Sequence, residues 1–280
     1  MQGIIIKNIS NTYTVSSNGK LYECKPTGKL RFNKITPVVG DYVEFIEQDC
    51  YIKDILPRKN VLNRPDIANV DIALIITSVK EPNLDLLLLD KLLCNVIKEH
   101  ITPVICFTKI DLISEAEKAL VDLLINYYNK IGIVALTNQN IDKIKEVLSK
   151  KTVVLTGQTG AGKSSLINRL DAQFDLKTSP ISKALGRGIH TTRNTEMYPV
   201  SDFFIADTPG FSSIDLTNVD PNIIKDTFIE FKKVSCRYRD CMHNHEEPCA
   251  VKDLVNEGTI LKSRYDNYLK IISDNNYKKY

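Results

Sequence analysis

The chain has 280 residues, 43% hydrophobic and 25% charged, with a net charge of +3. These proportions exclude a mainly disordered or fibrous chain and suit two or three globular domains. The small positive excess permits an acidic partner without demanding one. The most apolar stretches, 70–79 and 84–97, are short or broken by charge, so no membrane span is expected. The opening MQGIIIKNIS lacks a basic segment, a long apolar core and a small-residue cleavage site. The expectation is a cytoplasmic protein with no membrane partner and, by default, a monomer.

Residues 1 to about 66 read as all-β. Segments 3–7, 12–16, 20–25, 41–47 and 50–56 alternate apolar and polar side chains. Asn18-Gly19 and Val39-Gly40-Asp41 punctuate them as turns. Five short strands in this length predict a small barrel, with the OB-fold as candidate, a class that often binds nucleic acid. A barrel that only packs against its neighbour fits the same pattern, because fold does not fix function.

From Asn69 the pattern changes. VDIALIITS is an apolar run of buried parallel-strand type. Helical periodicity follows over 84–100, a strand over 103–107, a helix over 114–130 and a strand over 131–136. A helix over 141–150 and strands over 152–156 and 202–207 complete the alternation. Such alternation predicts a parallel sheet covered by helices. Beyond Phe211 the strands stop, and 221–232 and 259–274 read as helices.

The strand at 152–156 runs into Gly157-Gln158-Thr159-Gly160-Ala161-Gly162-Lys163-Ser164, followed by Ser165 and a helix-like stretch. This is G-x-x-x-x-G-K-S in the strand–loop–helix setting it requires. Glycines let successive backbone N–H groups face a phosphate, and the following helix adds its positive end. Lys163 is placed to reach β- and γ-phosphates, and the Ser164 hydroxyl to ligate Mg²⁺.

Asp207-Thr208-Pro209-Gly210 ends the 202–207 strand. A carboxylate there can hold Mg²⁺ through its water shell, and the Gly210 N–H can meet a γ-phosphate. Thr108-Lys109-Ile110-Asp111 follows the strand at 103–107. An Asp in this position accepts hydrogen bonds from guanine N1–H and N2–H₂, which adenine lacks, so GTP is favoured over ATP. Nucleotide-binding proteins of this kind usually carry Asn where Thr108 stands. The hydroxyl loses the amide, which puts its contact near the base and its brace to the phosphate loop in question. Ala135-Leu136-Thr137 is a weak match to a second base-contacting loop.

The order is permuted: base motif first, then phosphate loop, then DTPG. The site can survive such a rearrangement, since only the connections move. One consequence is mechanical. The loop after Gly210 runs straight into the C-terminal region, so its loosening can pull on that region. The loop 177–198 carries Gly186-Arg187-Gly188-Ile189-His190-Thr191-Thr192-Arg193 and is expected to be a switch. Thr191 or Thr192 is placed to close over Mg²⁺ and γ-phosphate. Phe211 stands where a water-orienting Gln is usual, which predicts slow intrinsic hydrolysis raised by a partner that repositions a residue such as His190.

Seven cysteines divide into two groups. Cys24, Cys50, Cys94 and Cys106 are scattered and read as buried thiols. Cys236-x4-Cys241-x-His243-x5-Cys249 is a ligand pattern for tetrahedral Zn²⁺. His245 competes with His243 as the fourth ligand. Four protein ligands leave no open position, so the site is structural. Lys232, Lys233, Arg237 and Arg239 surround it, as a solvated rim or a phosphate-facing one.

The series TKID, GQTGAGKSSL, GRGIHTTR, DTPGF and C-x4-C-x-H-x5-C, with NRPDIANVD joining barrel to sheet, resembles the circularly permuted ribosome small-subunit-dependent GTPase A family over essentially the whole chain. The resemblance implies a multi-domain α/β protein. It would comprise an OB-fold barrel over 1–66, a circularly permuted P-loop GTPase domain over 67–213 and a helical zinc-binding domain over 214–280. It implies nucleotide contacts at Thr108, Lys109, Ile110 and Asp111 and at Gly157 through Ser165, and selects His243 as the zinc ligand. It also implies GTP hydrolysis to GDP and phosphate in late maturation of the small ribosomal subunit, with binding to ribosomal RNA and stimulation by that subunit. An RNA-binding assembly module whose GTP occupancy sets conformation, with incidental hydrolysis, uses the same residues. A permuted ATPase ranks below both, because Asp111 is placed to discriminate guanine.

Overall fold

The computed structural model describes residues 1–32, 35–63, 66–171, 196–207, 214 and 216–275. The alternating N-terminal segments form β1 (Gln2–Ile9), β2 (Thr12–Ser17), β3 (Lys20–Pro26), β4 (Tyr42–Ile46) and β5 (Tyr51–Ile55). Pairing runs β1–β2–β3–β5–β4 and returns to β1, which closes the barrel. Only β3–β5 is parallel among these pairs. Period-two alternation puts Ile5, Val15, Cys24, Val43, Phe45 and Ile52 inside, each buried. Burial of each large apolar side chain contributes about 1.5–3 kcal/mol. A short helix, α1 (Gly28–Phe32), lies between β3 and β4.

A hairpin, β6 (Val61–Asn63) and β7 (Asp66–Ala68), carries the chain out of the barrel. Here the backbones come very close. A Cβ on Gly40 would sit 2.1 Å from the Ala68 carbonyl oxygen, so only glycine fits. The Asn69 amide donates to Gly40 O at 2.9 Å, and Asn69 Oδ1 accepts from Lys59 N at 2.9 Å. The fully buried Asp41 carboxylate pairs with Arg58, whose Nε lies 2.6 Å from Oδ1.

Next comes the sheet, with β8 (Ile72–Ser78), β9 (Thr102–Thr108), β10 (Val134–Thr137), β11 (Thr152–Gly157), β12 (Glu196–Val200) and β13 (Phe203–Asp207). Its order is β10-β9-β8-β11-β13-β12, parallel except for β12. All seven β8 residues are buried, as its continuous apolar run requires. Helices α2 (Leu86–Lys98) and α3 (Glu115–Ile131) cover one face. Helices α4 (Ile141–Leu148) and α5 (Lys163–Leu170) cover the other. Helix α3 has a reciprocal capping box between Ser114 and Glu117 and ends on Gly132 in the left-handed region. Strand β12 also pairs with β1, Lys7 opposite Glu196, so barrel and sheet form one eleven-stranded surface.

The C-terminal part holds α6 (Pro221–Thr227), a 3₁₀ turn (Phe231–Lys233), α7 (Ala250–Asn256) and α8 (Lys262–Ser273). Its core of Phe228, Phe231, Cys241, Cys249, Val251 and Tyr268 packs with Cys94 of α2. Among the described residues no helix is long and apolar enough to cross a membrane.

Four differences from the sequence reading have local causes. Helix α3 runs on to Ile131, and the next strand begins only at Val134, because the turn closes at Gly132. The segment expected as a helix over 221–232 breaks after Thr227, where Phe228 takes a non-helical conformation. The expected loop 177–198 ends earlier, because Glu196–Val200 is a strand. Cys50 is half-buried rather than buried, in the turn between β4 and β5 with φ 52°.

Candidate functional site

Parallel pairing brings the ends of β8, β9 and β11 to one edge of the sheet, the usual place for ligands in open α/β sheets. Ser78 stands in register with Thr108, and Gly157 with Ile76. Gly157 has φ 132°, and a Cβ there would lie 1.9 Å from Ile76 O. The first glycine is therefore required by backbone contact. Gly160 and Gly162 take φ of 80° and 87°, curling the chain into the start of α5. Ala161 N donates to Gln158 O at 3.2 Å within this curl. Lys163 Nζ donates to Gly157 O at 2.9 Å and Gln158 O at 2.6 Å. Burial lowers its pKa from the ordinary lysine value. Thr159, Gly160 and Ser165 are exposed and Ser164 is half-buried.

The base motif sits beside this loop. Thr108 is buried, and its Oγ1 donates to Ala161 O at 2.7 Å. The hydroxyl thus supplies a brace between the two segments that the missing amide had put in question. Thr77 O lies 3.3 Å away as a weaker acceptor for the same proton. Lys109 has φ 59°, and its Nζ donates to Glu81 O. Ile110–Leu112 form a 3₁₀ turn that leaves Asp111 exposed. Neighbouring Thr137, at the end of β10, donates through Oγ1 to Asn140 Oδ1 at 2.9 Å.

Asp207 closes β13, in register with Glu196. His190, Thr191, Thr192 and Gly210 lie outside the described residues.

At the C-terminal end, Cys236, Cys241, His243 and Cys249 converge, with all four ligand atoms within 4.8 Å of one another. Cys249 Sγ lies 3.9 Å from both other sulfurs, and His243 Nδ1 lies 3.5 Å from Cys236 and Cys249 Sγ. A tetrahedral site with Zn–S near 2.3 Å has sulfur–sulfur edges of about 3.8 Å. The donor set and its spacing therefore fit a metal ion, through His243 rather than His245. Second contacts fix the ligand loop. Tyr265 OH donates to His243 O at 2.7 Å, Tyr268 OH to Met242 O at 2.6 Å, and Glu246 accepts from Met242 N and Asn244 N.

Sequence reasoning missed the group that joins this region to the sheet. Arg264 of α8 grips Glu230 through Nε at 2.9 Å and Nη2 at 3.0 Å, and Asp90 of α2 through Nη1 at 2.5 Å. Its guanidinium lies 4.5 Å from the Phe228 ring centroid. Asn267 Nδ2 donates to the other Asp90 oxygen, Oδ2, and Tyr127 OH donates to Glu230 Oε1, the oxygen that also accepts from Arg264 Nε. Burial pushes the Asp90 pKa up, against the pull of Arg264. The partners are 174 and 34 residues apart from Arg264, so no local spacing could announce them.

The family model for the RsgA GTPase matches residues 55–217, and that for the RsgA N-terminal domain matches residues 2–51. The small ribosomal subunit biogenesis GTPase RsgA 2 of Listeria monocytogenes is 45% identical over 98% of this chain and 97% of that protein. The small ribosomal subunit biogenesis GTPase RsgA of Shouchella clausii is 41% identical with the same coverage. YjeQ from Thermotoga maritima superposes with TM-score 0.85 at 30% identity over 99% of both chains. YloQ, titled a circularly permuted GTPase, gives 0.83 at 33% identity over 100% of this chain and 96% of its own. With a family model spanning more than half of its length and close relatives along nearly all of it, the chain belongs to the RsgA GTPase family.

Proposed function

We propose that this protein hydrolyses GTP to GDP and phosphate as a timing step in late maturation of the small ribosomal subunit. It acts in the cytoplasm as a monomer, bound to ribosomal RNA, and the subunit raises its turnover. The observation that carries the GTP site is the hydrogen bond from Thr108 to Ala161, which ties a base-reading segment to a phosphate loop at one sheet edge. The names of the relatives supply the ribosomal setting.

In this reading the functional units are an OB-fold over 1–66, the permuted GTPase domain over 67–213 and the zinc-binding domain over 214–280. Asp111 accepts from guanine, Lys109 packs its stem on the purine, and the N–H groups of Gly157 through Ser165 face the phosphates. Lys163 exchanges its two backbone carbonyls for the β- and γ-phosphate oxygens and offsets charge in the transition state. Ser164 and Asp207 would hold Mg²⁺, which when bound with GTP neutralises phosphate charge. Thr191 or Thr192 closes the site, Gly210 meets the γ-phosphate, and His190 is the candidate brought into play by the partner. Cys236, Cys241, His243 and Cys249 would hold one structural Zn²⁺.

The test is GTP turnover by the zinc-loaded protein with and without purified small ribosomal subunits. Slow turnover alone and a large rise with subunits are expected. Fast turnover alone, or no rise with protein that still binds GTP, contradicts the reading and favours a conformational binding module.

A further inference from the structure

Two barrel thiols stand apart from the site and from the metal cluster. In the parallel pair β3–β5, Lys25 is in register with Tyr51, and Lys25 N donates to Cys50 O at 2.9 Å. The preceding residues on the two chains are Cys24 and Cys50. Alternation in β3 turns Cys24 inward beside exposed Lys25, and Cys50, in the turn that leads into β5, brings its thiol within hydrogen-bonding reach of Cys24. Cys24 is fully buried, and Cys50 packs half-buried against the core that contains it. The Lys25 N to Cys50 O bond holds the two backbones at the spacing of paired strands, about 4.7–4.9 Å, within the roughly 4.4–6.8 Å that a disulfide spans between Cα atoms.

We propose that Cys24 and Cys50 are a modification site, a thiol pair that hydrogen peroxide converts into one cross-strand disulfide. Cys50 is the entry point because solvent reaches it. Its thiol takes one oxygen from peroxide to give a sulfenic acid and water. The Cys24 sulfur then attacks the Cys50 sulfur, and hydroxide leaves with the Cys24 proton as a second water. Two thiols are oxidised to one disulfide and one peroxide is reduced to two waters. Burial, aided by the Cys50 thiol, pushes the Cys24 pKa up to about 11, which keeps it protonated until its partner is activated.

The other thiols have different neighbours. Cys94 Sγ accepts from Thr227 Oγ1, and Cys106 is in register with Ile76 and Leu136. The disulfide would staple β3 to β5 and close the segment that carries α1 and the Gly40 turn.

The test treats the full, zinc-loaded chain with hydrogen peroxide, blocks free thiols and maps peptides by mass. The expected product links the Cys24 and Cys50 peptides with a loss of about 2 Da, and dithiothreitol reverses it. In Cys24→Ser, Cys50 should instead be trapped as a sulfenic acid by dimedone. In Cys50→Ser, Cys24 should stay unmodified. Cys50 reaching sulfinic acid in the wild-type chain without linkage to Cys24 overturns the proposal. So does cross-linking confined to other cysteines, or both thiols staying reduced while others oxidise. The wild-type peptide map decides the matter even if a variant fails to fold.

Discussion

Where the barrel meets the sheet, β1 and β12 share one register pair, and Lys7 lies 2.6 Å from Glu196 with 39% and 18% of their side chains exposed. Where the C-terminal helices meet the sheet, Arg264 and its two carboxylates are 1–4% exposed. The first joint is made of backbone hydrogen bonds, a close glycine contact, the Asp41–Arg58 pair whose guanidinium is 26% exposed, and a wet ion pair. The second is made of desolvated charge set among aromatic rings. A screened pair can open at little cost, whereas a buried one cannot lose a partner cheaply. The two attachments therefore differ in how readily they can move. The barrel is fastened to the strand that follows the expected switch loop, and the C-terminal part to α2, beside the base motif.

Breaking the stiff joint should have the largest effect. Arg264→Ala leaves two buried carboxylates unpaired and should cost about 3–5 kcal/mol, read from the denaturant midpoint. Replacing Asp90, Glu230 and Arg264 together by leucine should recover much of that loss. If the single variant costs under about 1 kcal/mol, the joint is not held as described.

Within the nucleotide site, Thr108→Val removes the proton shared with Ala161 O. A buried carbonyl left unpaired costs about 1–3 kcal/mol. GDP and GTP affinities should fall together by about tenfold, measured by titration calorimetry. A change confined to one nucleotide would contradict a bracing role.

The barrel joint is graded in the same way. Asn69→Ala strips the bonds to Gly40 O and Lys59 N and should cost about 1–2 kcal/mol. Hydrogen exchange should rise around residues 38–41 and 59–61 and leave α8 unchanged. Lys7→Ala should be the smallest, below about 1 kcal/mol and absent in high salt. A larger, salt-independent loss would show that this seam is as rigid as the other.

What could be read in advance follows the range of the interactions. The phosphate loop is eight consecutive residues whose backbone needs are written in its glycines, so Gly157, Gly160 and Gly162 were legible. The β8 run and the five alternating barrel segments announced themselves by period. Strand β12 did not, since Glu196–Val200 carries a proline and gains its place only by pairing with β13 and β1. The α1 helix, five residues long, and the three-residue strands β6 and β7 are too short to show a period. Arg264 was illegible for a different reason: it looks like one more cation on an amphipathic helix until α2 is packed against it. The Thr108 brace fell between these cases, with a legible position and a partner that only the fold supplies.

Guanine recognition through Asp111 is the point on which the account rests most. The direct measurement is the affinity of GDP, with ATP as competitor, for the wild-type chain and for Asp111→Asn. The account predicts that ATP fails to compete and that the substitution weakens GDP at least about a hundredfold, as expected when a carboxylate acceptor of two hydrogen bonds is lost. Unchanged GDP affinity in the variant, or equal displacement by ATP, would contradict it.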